Sequence, residues 1–288
     1  MTTLNPPQAP PQHPASAGPP PGAPAPRPGA TVLSIVLIVI GAVIVVGTLF
    51  FAVLSAVASA SVRSTSESVS ASGIAALDVD VSAGRLTLDY ADVDEATLDV
   101  TGSWGAADWT LDRDGDTLVV TTPRLPFGLG WLFGRPGSGV LTLPSALENR
   151  EIDAVFDLSA GEIEASGTFG DLSISVSAGS LQVSGAARDV DSQVSAGDVR
   201  LDLADVDEAE FSVSAGRTVA QLSGSAPSLV TVDVSAGSLE ATLPDAVYDV
   251  RIERSAGDVT NRLETASDSP NRIVGTVSAG DVTLTPGR

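Results

Sequence analysis

The stretch "VSAGSLQVSGAARDVDSQVSAGDVRLDL", Val176 to Leu203, states nearly one message twice, with Ser177-Ala178-Gly179 returning 18 residues on as Ser195-Ala196-Gly197. Further copies of the triplet begin at Ser82, Ser159, Ser214, Ser235, Ser255 and Ser278. From Ser159 onward the intervals are 18, 18, 19, 21, 20 and 23 residues, the mark of a repeat architecture. The first gap, 77 residues, has room for about four such units and predicts degenerate or expanded repeats between Ala91 and Asp157.

The flanks of the triplet say what it is for. The residue before the serine is Val81, Leu158, Val176, Val194, Val213, Val234, Arg254 or Val277. Four residues after the serine come Leu86, Ile163, Leu181, Val199, Thr218, Leu239, Val259 and Val282, each preceded by a polar residue. Both sides therefore alternate as strands buried on one face do. The two alternations are out of phase across the triplet, and a period-2 chain changes phase only through a bulge or a corner. Ser and Ala are small, and a glycine free to take positive φ turns the backbone. The triplet reads as a corner between two strands.

Corners every ~20 residues, joined by short strands, predict an all-β, single-stack β-solenoid whose coils lie ~4.8 Å apart. Ten or eleven coils between Ala75 and Arg288 would make a rod about 50 Å long, with the serines passing hydrogen bonds along the stack. A sandwich or barrel of antiparallel hairpins is the alternative. One local hairpin is expected in any case, at Asp114-Gly115 within "DRDGDTLVV".

Composition sets the surroundings. The chain has 288 residues, no cysteine and a formal charge of -21. Residues 1–60 carry no acid and one arginine, Arg27, so 36 acids face 14 arginines in the remainder. Such a polyanion repels nucleic acid and anionic headgroups and favours cations or basic partners. Residues 1–29 hold eleven of the 19 prolines and read as a disordered Pro-rich tail. No charge occurs from Pro28 to Val62, and Val32–Leu54 is long enough to cross a bilayer as a helix, which takes about 20 residues. A signal peptide cleaved near "AVASA" is the competing reading, but its apolar core would be about 7 to 15 residues. The expected organisation is a cytoplasmic tail (1–29), a transmembrane helix (30–58), a linker (59–73) and an extracytoplasmic domain (74–288). The short tail and the lack of basic residues soon after Arg63 place the protein in the cell membrane as a single-pass chain with its C-terminal domain outside.

The "VSAGxL" and "VSAGDV" repeats behind an apolar segment, with "GSWGAADW" early in the domain and "GTVSAGDVTL" at its close, resemble the bacterial putative-adhesin family, a domain of unknown function. The resemblance covers about Ile74 to Arg288. It implies a right-handed β-solenoid tethered to the cell envelope, with adhesion or envelope-stress roles, and it carries no catalytic residue over to this chain. The apolar segment and "PRLPFGLGWLFGRPGSG" fall outside the family's common core.

Chemistry is sparse in the residues themselves. The only histidine, His13, lies in the tail, and the acidic domain has no cysteine or lysine, which removes Ser-His and Ser-Lys nucleophiles there. Paired carboxylates on a β-helix can serve a polysaccharide-active enzyme, the alternative to a binding protein, but 36 acids make close pairs by number alone. Asp258 and Asp281 share a column on neighbouring coils, with Asp198 farther along it, and such carboxylates suit Ca²⁺ or simply face water. Phe127, Trp131 and Phe133 crowd into Pro123 to Gly139, where a loop this apolar either caps the stack or meets a partner or membrane. The expected partners are an envelope or surface protein or a glycan, no nucleic acid, and a second copy, since "GTVSAGDVTLTPGR" shows no polar cap. An accessory role in envelope-stress signalling is the other alternative to adhesion.

Overall fold

The computed structural model describes residues 63–102, 109–123 and 137–287. The Pro-rich tail, the apolar segment Val32–Leu54 and Phe127, Trp131 and Phe133 lie outside the described residues. Among the described residues the protein is all-β, with one 3-10 turn at Ser145–Leu147, and no helix there is long and apolar enough to cross a membrane.

Val, Leu, Ile and Thr alternating with polar residues build most of the strands. The first seven are β1 (Arg63–Ser70), β2 (Ala76–Val81), β3 (Arg85–Ala91), β4 (Glu95–Gly102), β5 (Thr110–Asp114), β6 (Thr117–Thr121) and β7 (Ser138–Pro144). Then come β8 (Ile152–Leu158), the long β9 (Glu162–Val176) and β10 (Ser180–Val194), β11 (Asp198–Ala204), β12 (Glu208–Val213) and β13 (Arg217–Ser223). The chain continues through β14 (Leu229–Val234), β15 (Ser238–Leu243), β16 (Val247–Arg254), β17 (Asp258–Asn261), β18 (Glu264–Thr265), β19 (Arg272–Val277) and β20 (Asp281–Pro286).

Two parallel ladders result, one on each side of the triplets. The first runs β6, β2, β8, the C-terminal halves of β9 and β10, then β12, β14, β19 and β16. The second runs β7, β3, the N-terminal halves of β9 and β10, then β11, β13, β15, β20 and β17. Each triplet joins a strand of the first ladder to one of the second, as the change of phase requires. The edges at β1, β5 and β17 leave the sheet open. Val81, Leu158, Val176, Val194, Val213, Val234 and Val277 form one buried column, and Leu86, Ile163, Leu181, Val199, Thr218, Leu239 and Val282 form another.

Adjacent triplets are tied by main-chain bonds. The Ser177, Ala178 and Ser180 amides donate to the carbonyls of Leu158, Ser159 and Gly161 at 2.9, 3.0 and 2.9 Å, and the pattern recurs at Ser214, Ala215 and Arg217. The stack therefore passes its hydrogen bonds through backbone amides, and the Ser82 hydroxyl is buried without a partner. The glycine also serves differently from the sequence reading. Only Gly84, Gly161 and Gly179 of the triplets take positive φ, of 126°, 121° and 127°. At Gly197, Gly216, Gly237 and Gly280 a Cβ would lie 2.6, 2.4, 2.4 and 2.3 Å from the carbonyl oxygen of the glycine stacked against it. Close approach of neighbouring strands, more than a left-handed turn, is what demands glycine here.

Two stretches depart from the expected order. The 77 residues between the first two triplets do not hold four stacked units: β2 pairs directly with β8, and the Ser159 amide donates to the Val81 carbonyl at 2.9 Å. The intervening chain adds one level, β6 with β7, and finishes that end with antiparallel strands. β4 pairs with β7 and β1 with β4, while β5 and β6 form the expected hairpin around Gly115 at φ 65°. Trp109, 3% exposed, lies over this end, its ring beside Gly84 and Gly139. β1 occupies part of the stretch read as linker. The described residues thus form nine parallel levels, not ten or eleven.

At the other end, chain order and stacking order disagree. β19 and β20 lie between β14–β15 and β16–β17, so the triplets stack as Ser235, Ser278, Ser255. "GTVSAGDVTLTPGR" is therefore an inner unit. The outermost carries Arg254 where the other units have a buried Val or Leu, and Asn261 where its register partner is Leu284. Both are exposed, a charge and an amide at inward positions that finish the stack with polar groups.

Candidate functional site

The outward positions make in-register rows of charge. Just after the glycines the row reads Ser138, Arg85, Glu162, Ser180, Asp198, Arg217, Ser238, Asp281, Asp258 in stacking order. Its arginines bridge levels: Arg85 Nε donates to Glu162 Oε2 at 2.7 Å, and Arg217 Nη2 to Glu240 Oε1 at 2.6 Å. Asp258 and Asp281 are register partners, as the spacing predicts, and Asp198 lies three strands from Asp281. The Asp258 side chain is 87% exposed and 3.8 Å from Arg254 Nη1. Among the described residues no three His, Cys, Asp or Glu side chains come together as a metal site.

On the first ladder, Asp80 and Asp157 are register partners, and Asp78 lies one outward position along β2 from Asp80. Burial, then the charges of Asp157 and Asp80, raise the Asp78 pKa above the ordinary aspartate value. The Arg188 guanidinium meets three levels at once: Nη1 binds Glu151 Oε1 at 2.7 Å, Nε binds Asp189 Oδ2 at 3.0 Å, and Nη2 binds Asp171 Oδ1. The hydrogen bonds it donates to Asp189 and Asp171 push its pKa above the ordinary arginine value. Nothing in the spacing of these four residues pointed to the clamp.

The apolar insertion has described flanks, and their position was not visible in the sequence. Thr122 and Gly137 bound it at the triplet corner of the level formed by β6 and β7. There the Ser82 amide donates to Thr122 Oγ1 at 2.6 Å and the Arg85 amide to the Gly137 carbonyl at 3.1 Å. The insertion thus stands where the other levels have Ser-Ala-Gly. Because β4 runs antiparallel to β7 and β1 antiparallel to β4, Thr101 pairs with Ser138 and Arg63 with Gly102. Arg63, Gly102, Thr122 and Gly137, four described residues at or next to the bounds of the described stretches, thus lie together at this corner. Four other aromatics, Phe156, Phe169, Phe211 and Tyr248, are buried, the first two edge to face at 6.1 Å.

No family model matches the chain, and neither does any curated protein. Similar solved structures include a putative cell adhesion protein from Clostridium sporogenes, 13% identical over 78% of this chain and 100% of that one, with a TM-score of 0.39. A putative adhesin from Parabacteroides distasonis is 14% identical over 77% and 97% of the two chains, TM-score 0.43. A putative lipid binding protein from the same organism is 15% identical over 78% and 97%, TM-score 0.41. Likeness at this level extends to no residue of a site.

Proposed function

We propose that the chain is a membrane-anchored, extracytoplasmic β-solenoid acting by binding, as an adhesin or a cell-envelope scaffold, without catalysis. The parallel ladders, with triplets in register level upon level, support the winding. The observation that carries the binding role is the shared corner at Arg63, Gly102, Thr122 and Gly137. The insertion that follows Thr122 in the sequence carries Phe127, Trp131 and Phe133, an apolar set suited to a partner or membrane contact, and Trp is favoured at membrane interfaces. The long faces, lined with carboxylate rows bridged by arginines, would stay turned to an envelope protein or glycan.

The test places a photo-crosslinking residue at Trp131 and another at Glu210 in the full chain in living cells. Adducts to lipid from the first position and to an envelope protein or glycan from the second are expected. Neither position crosslinking above background would overturn the binding role.

A further inference from the structure

The unit from Arg272 to Pro286 follows the unit from Asp249 to Asn261 in the chain but stacks before it. We infer that this unit is exchanged between two copies of the protein, each filling the slot that the other holds open.

The bonds that seat the unit are sequence-blind and identical in a second copy. On one side the Ser278, Ala279 and Asp281 amides donate to Val234, Ser235 and Gly237 carbonyls at 2.8, 2.8 and 3.0 Å. On the other, the Ser255, Asp258 and Arg262 amides donate to Val277, Gly280 and Leu284 at 2.9, 3.1 and 2.9 Å. A copy supplied in trans makes the same bonds and buries the same Ile273, Val277, Val282 and Leu284, so the closed and exchanged forms differ only in the connecting segment and in the entropy of association.

The connecting segment is suited to that difference. From β11 on, the other units are joined by short links, three residues from Ala204 to Glu208, five from Ser223 to Leu229 and three from Leu243 to Val247, whereas ten residues lie between Asn261 and Arg272. Six of those ten residues are exposed, and within them Pro270 favours an extended backbone at Ser269. Leu263 is buried and β18 pairs with Val247 and Tyr248 of β16, contacts that straightening the segment gives up. Straightened, they reach about 33 Å, ample for a neighbouring stack. Closing within one chain requires β14 and β16 to stand a strand's width apart until β19 enters between them. A second chain held in the same membrane offers an identical strand at high effective concentration.

The absence of cysteine makes the exchange readable. Thr242 and Thr285 are register partners on β15 and β20, with hydroxyls 3.1 Å apart. In the full chain, in membranes of cells making two differently tagged copies, oxidation of the double variant T242C/T285C should give a disulfide-linked heterodimer. Deleting Ala266 to Asp268 should raise its yield several-fold, since the shortened segment hinders closure within one chain. The pair D233C/T276C, on β14 and β19, reads the same event on the other ladder should the first pair fold poorly. Complete oxidation to monomer alone, with either pair and with the deletion, would overturn the inference.

Discussion

Gly216 lies so close against Gly197 that a Cβ on Gly216 would sit 2.4 Å from the Gly197 carbonyl oxygen and 2.6 Å from a Val194 methyl. The nearest of these atoms is backbone, which cannot swing aside as the end of a side chain can. Gly216→Ala is expected to destabilise the domain by about 3 kcal/mol, as overpacking does. Gly115→Ala, at φ 65° with nothing within 4 Å, should cost only the left-handed penalty of about 1 kcal/mol. Urea unfolding of the two variants checks the ranking, and equal losses would show that conformation, not contact, selects the glycine.

Thr218 stands in the buried column between Val199 and Leu239, fully buried, with a hydroxyl that has no partner. Replacing it by the isosteric valine removes an unsatisfied polar group and is expected to stabilise by about 1 kcal/mol. Ser192→Ala, in the same situation on the first ladder, should act in the same direction. A lower unfolding midpoint for Thr218→Val would mean that a bound water satisfies the hydroxyl.

Asp78 has a folded pKa above its unfolded one, so protonation favours the native state. Its favourable contribution is complete below the unfolded pKa and is lost as the pH rises through the folded pKa. Asp78→Asn should therefore leave stability nearly unchanged in acid and raise it at neutral pH. Thermal unfolding across that range tests the sign, and a destabilised variant at neutral pH would contradict it.

Arg188 joins Glu151, Asp171 and Asp189 on an exposed surface. Arg188→Met leaves three carboxylates facing one another, and the melting temperature should fall most at low ionic strength. At about 1 M salt, where the Debye length is about 3 Å, most of the difference should vanish. A loss independent of salt would assign the arginine a packing role instead.

Asp258 and Asp281 offer one pair of carboxylates beside Arg254, short of the six to eight oxygens that Ca²⁺ takes. Millimolar calcium is expected to leave the melting temperature unchanged. A calcium-dependent rise that Asp258→Asn abolishes would establish a site at this pair.

Much of the domain was legible because its signal is local. The Val and Leu columns on either side of the triplet are buried as their alternation predicts, and the hairpin at Asp114-Gly115 forms where the turn residues put it. Arg254, the single exception in the column before the serine, was a legible sign as well. It marks the outermost unit, whose column no longer needs an apolar residue. The glycine was legible as a requirement but not as a cause, since its reason is a carbonyl on another unit. The Arg188 clamp and the shared corner at Arg63, Gly102 and Gly137 were not legible, because each joins residues from separate strands.

Alternation, phase change and spacing are properties of a single strand and its next turn, and by themselves they determined an all-β domain of short strands joined at small-residue corners. Which strand lies beside which was decided only by the tertiary structure. Main-chain amides and carbonyls pair alike whatever side chains they carry, so the unit at Ser278 fits between those at Ser235 and Ser255 as well as beyond them. The choice between the two lies with the polar residues of the outer unit and the ten-residue link that lets the chain turn back.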